Sequence, residues 1–403
     1  MVGGNIIMIN VLMGLFALAI LIGIGFLLSE DRRKINWRTV GLGLLGQAIL
    51  VWFVIKVPVG QVILASIADF FNKVFQLGME GVNFVFGGIS TTGFVFAINS
   101  LALIVFTSTL IAVLYFFKVI PFLVKYLGGA IAKLLGTSPV ESMVCVSNMM
   151  LGGSEAVLVV KEYLPRITKS ELFVCMSSGF ASASVGILAG YVAMGFDLKY
   201  MLIAVFTVPF SCLMISKMLV PQTEEVGNQK DIKLTGETYH NIFEAISSGA
   251  NTGMQVAFAV GAILIGFLGV IAIINYILGF FGISLSQILG LVFMPFGWLL
   301  NIPHSEIVTF GSILGDKIGA NEFVAFNSMA QAVQAGALSE RTVSILTTAC
   351  TNFANFSVIG IVSSAIITLA PNRKHEVSKY GVKALLVGTI ATMITATLVA
   401  IML

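Results

Sequence analysis

Two glutamates carry the sharpest chemical signal in the sequence, because each lies inside an otherwise apolar segment. Glu155 follows a Gly-Gly-Ser run, and Glu322 follows Asn321. An ionisable side chain at membrane depth is costly, so it is normally paired with another group or serves a function. A carboxylate can accept several hydrogen bonds, or it can stabilise the N-terminus of the helix that follows. The two roles are compatible, and the residues alone leave both open.

Three neutral polar residues lie in similar surroundings. Asn148 precedes the first glutamate, and Ser182 and Asn355 lie in two later apolar spans. Their oxygens can bind a solute or a cation, but such residues also form ordinary hydrogen bonds between membrane helices. Both interpretations remain open at this point.

The composition predicts that these residues lie in a membrane. Of the 403 residues, 58% are hydrophobic and 10% are charged, and the mean hydropathy is +1.01. A typical soluble domain has about 25% charged residues, so a soluble fold could not cover its surface with so few. We therefore expect a lipid bilayer around the chain. The net charge of +3 forms no basic stripe, which argues against nucleic acid as a partner.

The sequence lacks the patterns that are typical of enzymes. The four cysteines lie in apolar stretches without a CxxC pair, which favours small buried side chains. The three histidines are far apart, and no metal-ligand spacing, phosphate-binding loop or Ser/His/Asp signature is visible. We therefore predict that the protein is not an enzyme.

Hydropathy predicts an all-α membrane protein with about eight transmembrane helices. The predicted spans are 6–28, 40–57, 101–120, 172–194, 200–220, 250–281, 343–369 and 384–403. The segment 58–88 is less hydrophobic, and its apolar residues recur at helical spacing. This pattern indicates an amphipathic helix, either at the membrane interface or on the protein surface with one buried face.

Positive charge predicts the orientation of the spans. The clusters Arg32–Arg38, Lys161–Lys169, Lys230–Lys233 and Arg373–Lys383 all fall on one side if eight helices cross. The positive-inside rule places that side in the cytoplasm and both termini outside.

Two segments, 135–166 and 303–338, must then enter and leave the membrane on the same side. Each has apolar arms around a Gly-containing break that also carries Asn and Glu, and we expect a helix in each arm. Unpaired backbone at membrane depth is tolerated only where it is buried in protein or lines a cavity. The spans that follow share the pattern Phe-Ala-x-x-Ser-Val, at 180–185 and 353–358. An inverted repeat of hairpin plus broken helix is a transporter architecture with its substrate between the repeats.

This organisation predicts five regions. They are an N-terminal scaffold at 1–97, a first repeat at 98–220 with the hairpin 135–166, a cytoplasmic polar loop at 221–246, a second repeat at 247–372 with the hairpin 303–338, and a C-terminal helix at 373–403.

The motifs at 152–155, 321–325 and 353–357 resemble those of the concentrative nucleoside transporter family, in particular its shorter bacterial members. The resemblance covers most of the chain. It implies a homotrimer in the bacterial cytoplasmic (inner) membrane, with eight spans and two re-entrant hairpins in each protomer. It also implies that a cation gradient drives nucleoside import by alternating access.

The resemblance further implies a substrate site. The first hairpin and the helix after it would bind the nucleobase through Gly153, Ser154, Glu155 and Ile187. The second hairpin and the helix after it would bind the ribose through Glu322, Asn355 and Val358. The sequence departs from the family twice, with Gly153 at a position that usually holds glutamine and Val358 at a position that usually holds serine.

A sodium site is implied in the same way. It would consist of Asn148 and Ser182, with backbone carbonyls near Leu151 and Ala183. All of these groups offer hard oxygen donors. Some bacterial members use protons instead, so H⁺ remains an alternative coupling ion.

Other functions stay open. A transporter could carry free nucleobases or another small polar metabolite, and re-entrant hairpins also occur in channels. Uptake that collapses with the cation gradient would distinguish a transporter from a channel.

Overall fold

The structure is a computed structural model that describes residues 2–403 except 88–94, 154, 228, 230, 231, 233 and 235–238. The side chains of residues 2–7 and 267 are also outside the described part. In the described residues, helices account for nearly all regular structure and no strand occurs. The predicted all-α fold class is confirmed.

Sixteen α-helices follow one another in the described chain. Their bounds are α1 Val2–Leu27, α2 Trp37–Lys56, α3 Pro58–Phe86, α4 Ala102–Phe116, α5 Val119–Leu135, α6 Pro139–Met150, α7 Lys169–Ala181, α8 Val185–Ala193, α9 Leu198–Leu219, α10 Ile242–Gly279, α11 Leu285–Leu299, α12 Ile307–Gly319, α13 Glu322–Gln334, α14 Glu340–Cys350, α15 Phe356–Leu369 and α16 Lys374–Met402. A π-helical turn at Ala97–Leu101 leads into α4.

Eight helical segments of the described chain are long and apolar enough to cross a membrane. Two differences from the predicted spans stand out. The segment predicted as an interfacial helix forms the 29-residue α3, which qualifies by length and composition. The predicted spans 172–194 and 343–369 are each divided, into α7 and α8 and into α14 and α15, which agrees with the broken helices expected after the two hairpins. A hydropathy average by itself does not detect these breaks, because each is bounded by apolar turns on both sides.

Two helices, α5 and α11, lie outside the predicted spans and hairpins. Each is shorter than 18 residues, which explains why a search for spans passes over them. A local signal for α11 was present, because Ser284 and Gln287 form a capping box at its start. Helix α10 begins at Ile242, inside the segment that was assigned to the polar loop.

The first hairpin differs from the expected pair of helices. Its first arm is α6, which begins with a capping box between Ser138 and Glu141. Its second arm contains only a 3-10 turn at Ala156–Val160, followed by further turns before α7. Three of the five residues in that turn are valines, and β-branched side chains lower helix propensity. The second hairpin does have two helices, α12 and α13.

The best-buried helices form the centre of the protein. Helices α7 and α9 are almost wholly buried, and α16 packs against both. By contrast, only 6% of the most apolar stretch of α10 is buried within the chain. The four cysteines are all buried and unpaired, as predicted.

Candidate functional site

The first break in a core helix lies between α7 and α8, at residues 182–184. The backbone there is extended, with φ −106° and ψ 158° at Ser182. The Ser182 hydroxyl donates a hydrogen bond to the Asn148 carbonyl oxygen at 2.6 Å, and the Ser184 hydroxyl donates to the Met150 carbonyl oxygen at 3.2 Å. These bonds satisfy carbonyls at the end of α6, where helical partners run out. The break and the first hairpin therefore form one unit.

Asn148 occupies the centre of this unit and is fully buried. Its side-chain nitrogen donates to the Ser178 hydroxyl at 2.8 Å and to the Val144 carbonyl at 3.3 Å. Its side-chain oxygen Oδ1 is buried with no hydrogen-bond partner among the described residues. A buried acceptor without a partner carries a desolvation cost that a bound ligand could remove. The carbonyl-bearing residues Leu151 and Ala183 are buried as well.

The tip of the first hairpin approaches α7 very closely. A Cβ atom on Gly153 would lie 2.6 Å from the carbonyl oxygen of Gly179, so the lack of a side chain here permits the packing. Glu155 provides no side-chain cap for the 3-10 turn that follows it. Its carboxylate instead accepts a hydrogen bond from the Gly152 amide at 3.4 Å. Ser154, the remaining predicted tip residue, lies outside the described residues.

A cavity opens beside this tip. Among the predicted residues, Leu151, Glu155 and Ile187 line it. Sequence reasoning missed its other wall, where α4, α10 and the polar loop contribute Ser108, Tyr115, Tyr239 and Thr252. Hydroxyl groups on otherwise apolar spans were the sequence signal for Ser108, Tyr115 and Thr252, whereas Tyr239 lies in the polar loop, where a hydroxyl group does not stand out.

The second hairpin presents a charged counterpart. Glu322 is the first residue of α13 and is 5% exposed. The side chain of Asn321 caps that helix by accepting from the Val324 amide at 3.0 Å, so the cap does not require the Glu322 carboxylate. The side-chain nitrogen of Asn355 donates to Glu322 Oε2 at 3.0 Å. Residues 33 apart in sequence are thereby brought together.

Asn355 also begins α15, after the second helix break. Its side-chain oxygen accepts from the Val358 amide at 3.2 Å and from the Ser357 hydroxyl at 2.6 Å. Glu322, Asn355 and Val358 are not among the described residues that line the cavity. Val358 contributes its backbone, and not its side chain, to this arrangement.

The two helix breaks touch each other. The Phe353 amide donates to the Ser182 carbonyl oxygen at 3.2 Å, and Phe353 also lines the cavity. A movement of either break therefore displaces a group that the other break uses.

Three family models match consecutive parts of the chain. The Na⁺ dependent nucleoside transporter N-terminus matches residues 16–89, the nucleoside recognition Gate domain matches 97–196, and the Na⁺ dependent nucleoside transporter C-terminus matches 200–400.

Two bacterial relatives are similar to the chain over almost their whole length. An uncharacterized transporter of Haemophilus influenzae is 39% identical, with 96% of this chain and 97% of the relative covered. The nucleoside permease NupC of Helicobacter pylori is 36% identical, with 96% of each chain covered. The chain is also 29% identical to the mouse solute carrier family 28 member 3, of which it covers 57%.

Solved structures show the same fold. CNTnw in an inward-facing substrate-bound state is 39% identical and superposes with a TM-score of 0.93, covering 98% of both chains. A doubly substituted CNTnw in an outward-facing state gives a TM-score of 0.93 at 38% identity, again with 98% of both chains covered. These similarities favour a transporter over an enzyme or a channel, and they agree with the multi-pass helical architecture. The chain therefore belongs to the Na⁺ dependent nucleoside transporter family and is a membrane transporter of nucleosides.

Proposed function

We propose that this protein imports nucleosides by alternating access, with Na⁺ as the coupling ion, and that its two hairpin units divide the work. The first unit binds Na⁺ and contacts the nucleobase, and the second unit binds the ribose. The observation that carries this proposal is the hydrogen bond from the Phe353 amide to the Ser182 carbonyl at 3.2 Å. Through this hydrogen bond, the ordering of the first unit by Na⁺ would be linked to the position of the second helix break, which holds Asn355.

The ribose assignment is supported by the chemistry of Glu322. A ribose diol offers two O–H donors, and a carboxylate can accept both. Asn355 already donates to this carboxylate and holds it at the hairpin tip. Because α13 is capped by Asn321, the helix does not use the Glu322 carboxylate, and the acceptor capacity that Asn355 leaves can serve a substrate.

The nucleobase assignment is supported by the cavity beside the first hairpin. Glu155 and Ile187 offer a polar group and an apolar surface on its wall, as the edge and face of a base require. Gly153 brings no side chain to this site, and Ser154 is assigned to it by its place beside Glu155. On the ribose side, Val358 removes the hydroxyl group that a serine would offer, so these two positions would shape the choice among nucleosides.

The sodium assignment is supported by the unpaired oxygen of Asn148. Asn148, Ser182 and the carbonyl groups of Leu151 and Ala183 are neutral oxygen donors, which fit a small hard cation. Bound Na⁺ would supply positive charge and fix the hairpin to the α7–α8 break. Linkage requires that the nucleoside then tighten Na⁺ binding by the same factor as Na⁺ tightens nucleoside binding.

The exposed helices support the proposed assembly and location. Helix α10 exposes apolar residues along most of its length, which lipid or other protomers must cover. We assign it to contacts between three copies in the bacterial inner membrane. Both termini would lie outside, because the basic clusters then face the cytoplasm.

Uptake of labelled uridine or adenosine into proteoliposomes tests the coupling ion. We expect an inward Na⁺ gradient to drive accumulation and Asn148→Ala to remove the Na⁺ dependence. The matched control is Ser147→Ala, since within the described part of the chain the neighbouring Ser147 hydroxyl donates to the Met143 carbonyl of its own helix. Full uptake driven by a proton gradient without Na⁺ would instead assign H⁺ as the coupling ion.

A further inference from the structure

Lys317 is a fully buried cation that the proposed function does not use. It lies in the last turn of α12, the first arm of the second hairpin, and its side chain is 0% exposed. Burying an ammonium group is costly unless other groups compensate its charge. The groups around Lys317 therefore indicate the role of its charge.

The hydrogen-bond partner of Lys317 is a carbonyl at the second helix break. The ammonium donates to the Ala349 carbonyl oxygen at 2.9 Å, one residue before the end of α14. In a continuous helix this carbonyl would accept from the Phe353 amide. That amide donates to the Ser182 carbonyl instead. The break therefore leaves the Ala349 carbonyl without its helical donor, and the Lys317 ammonium takes the place of that donor. A cation is also favoured at a helix C-terminus by the helix dipole.

Lys317 and Glu322 are both buried and lie on the two sides of the second hairpin tip, at the end of α12 and the start of α13, so the positive charge of Lys317 acts on the Glu322 carboxylate. The titratable groups that face Glu322 are Lys317 on α12, Tyr191 on α8 and Cys350 on α14. The Tyr191 ring stacks on Phe326 with 4.3 Å between centroids, and its buried hydroxyl interacts with the Glu322 carboxylate. The neutral Tyr191 hydroxyl can stabilise the carboxylate as a hydrogen-bond donor, but neither tyrosine nor cysteine can supply positive charge. Lys317 is therefore the group of this set that can compensate the charge of the carboxylate.

We propose that Lys317 is a positioning residue for nucleoside binding, which holds the end of α14 open at Ala349 and keeps the Glu322 carboxylate anionic. The inference rests on the proposed role of Glu322 as the ribose acceptor. A protonated Glu322 would lose acceptor capacity and bind a ribose diol less well. Lys317 thus acts through Glu322 and the helix break and does not itself touch the substrate.

The test is uridine binding to the purified transporter at saturating Na⁺, measured by calorimetry between pH 5 and pH 9. We expect Lys317→Met to weaken uridine binding at least tenfold at neutral pH. In the profile of uridine affinity against pH, the fall in affinity on the acid side should begin at a higher pH than in the unaltered protein. Lys317→Gln keeps a donor for Ala349 but no charge, so it should show the same displaced profile with a smaller loss of stability. Lys317→Arg keeps the charge and should restore the profile.

The control is Lys217→Met, which removes another buried lysine, paired with Glu141 at 2.6 Å in a different part of the protein. It should lower thermal stability without displacing the profile. If Lys317→Met behaves in the same way, the inference is wrong. If Lys317→Met does not fold, adding Glu322→Gln should restore folded protein, because it removes the carboxylate left without a counter-charge. Failure of that rescue also overturns the inference.

Glu322→Gln alone separates this inference from the function on which it rests. If that variant binds uridine normally, the ribose role of Glu322 fails and the role of Lys317 fails with it. If it loses binding while Lys317→Met leaves the profile unchanged, only the inference about Lys317 fails.

Discussion

The two hairpin units have the same plan but differ in the charge of their central groups. Each places a hairpin tip against a broken helix, with the breaks at 182–184 and 351–355. In the first unit the groups around Asn148 at the helix break are neutral, and Asn148 Oδ1 has no partner among the described residues, while the Glu155 carboxylate lies at the tip on the cavity wall. In the second unit the central groups are charged, and Glu322 is paired with Asn355 and accompanied by Lys317.

Under the proposed function, this difference would let one supersecondary pattern serve two ligands. A neutral pocket with an unpaired oxygen is completed by a cation. A buried carboxylate with its own counter-charge is completed by neutral hydroxyl donors. The contact between Phe353 and Ser182 links the two pockets, which is the physical requirement for coupled transport.

The strongest test of the second unit is Glu322→Gln. Loss of a charged acceptor should cost about 1.5–3 kcal/mol in nucleoside affinity, roughly 10- to 150-fold, and abolish measurable uptake. Membrane level and thermal stability should stay close to those of the unaltered protein. The matched control is Glu340→Gln, an exposed carboxylate in the first turn of α14. Normal uptake by Glu322→Gln would remove the charged half of the comparison.

The packing of the first unit is tested by Gly153→Ala. Its Cβ would meet the Gly179 carbonyl at 2.6 Å, so we expect about 1–3 kcal/mol of lost stability or a displaced tip, with reduced uptake. Gly153→Gln, which would supply the side chain usual in the family, should meet the same obstruction. Gly129→Ala on α5 is the control, because nothing lies within 4 Å of its added Cβ. Unchanged melting and uptake for Gly153→Ala would show that the tip is not tightly packed.

The neutral half of the comparison is tested by Asn148→Ala. Removing one oxygen ligand should raise the Na⁺ concentration for half-maximal uptake roughly tenfold or more. Because binding is linked, nucleoside affinity should fall at low Na⁺ and recover in part at high Na⁺. A Na⁺ titration of uptake at fixed nucleoside measures both effects. An unchanged Na⁺ titration would remove Asn148 from the site.

The smallest effect is expected for Val358→Ser. The backbone amide of Val358 already donates to the Asn355 side chain, so a hydroxyl at residue 358 is introduced close to the proposed ribose acceptors. One added hydrogen bond should change the relative affinities of nucleosides by about 1 kcal/mol without loss of uptake. Competition between uridine, adenosine and their 2′-deoxy forms gives the ranking. Identical rankings before and after the change would place residue 358 away from the ribose.

The sequence by itself determined the membrane class, the all-α fold and the approximate position of the two hairpins. These features depend on composition and on patterns within about twenty residues, and a low charge content or an apolar run can be read directly. It also marked Glu155, Glu322 and Asn148, because a polar group in an apolar stretch needs a local explanation. The family motifs at 321–325 and 353–357 then indicated a nucleoside transporter.

Only the tertiary structure decided which groups meet. The bond between Phe353 and Ser182, the filling of the Ala349 carbonyl by Lys317 and the contact of Gly153 with Gly179 join distant parts of the chain. A helix break leaves a backbone group that another segment must pair with. A missing side chain leaves space that another segment fills. Such demands depend on the packing of whole helices, and no pattern within a single segment records them.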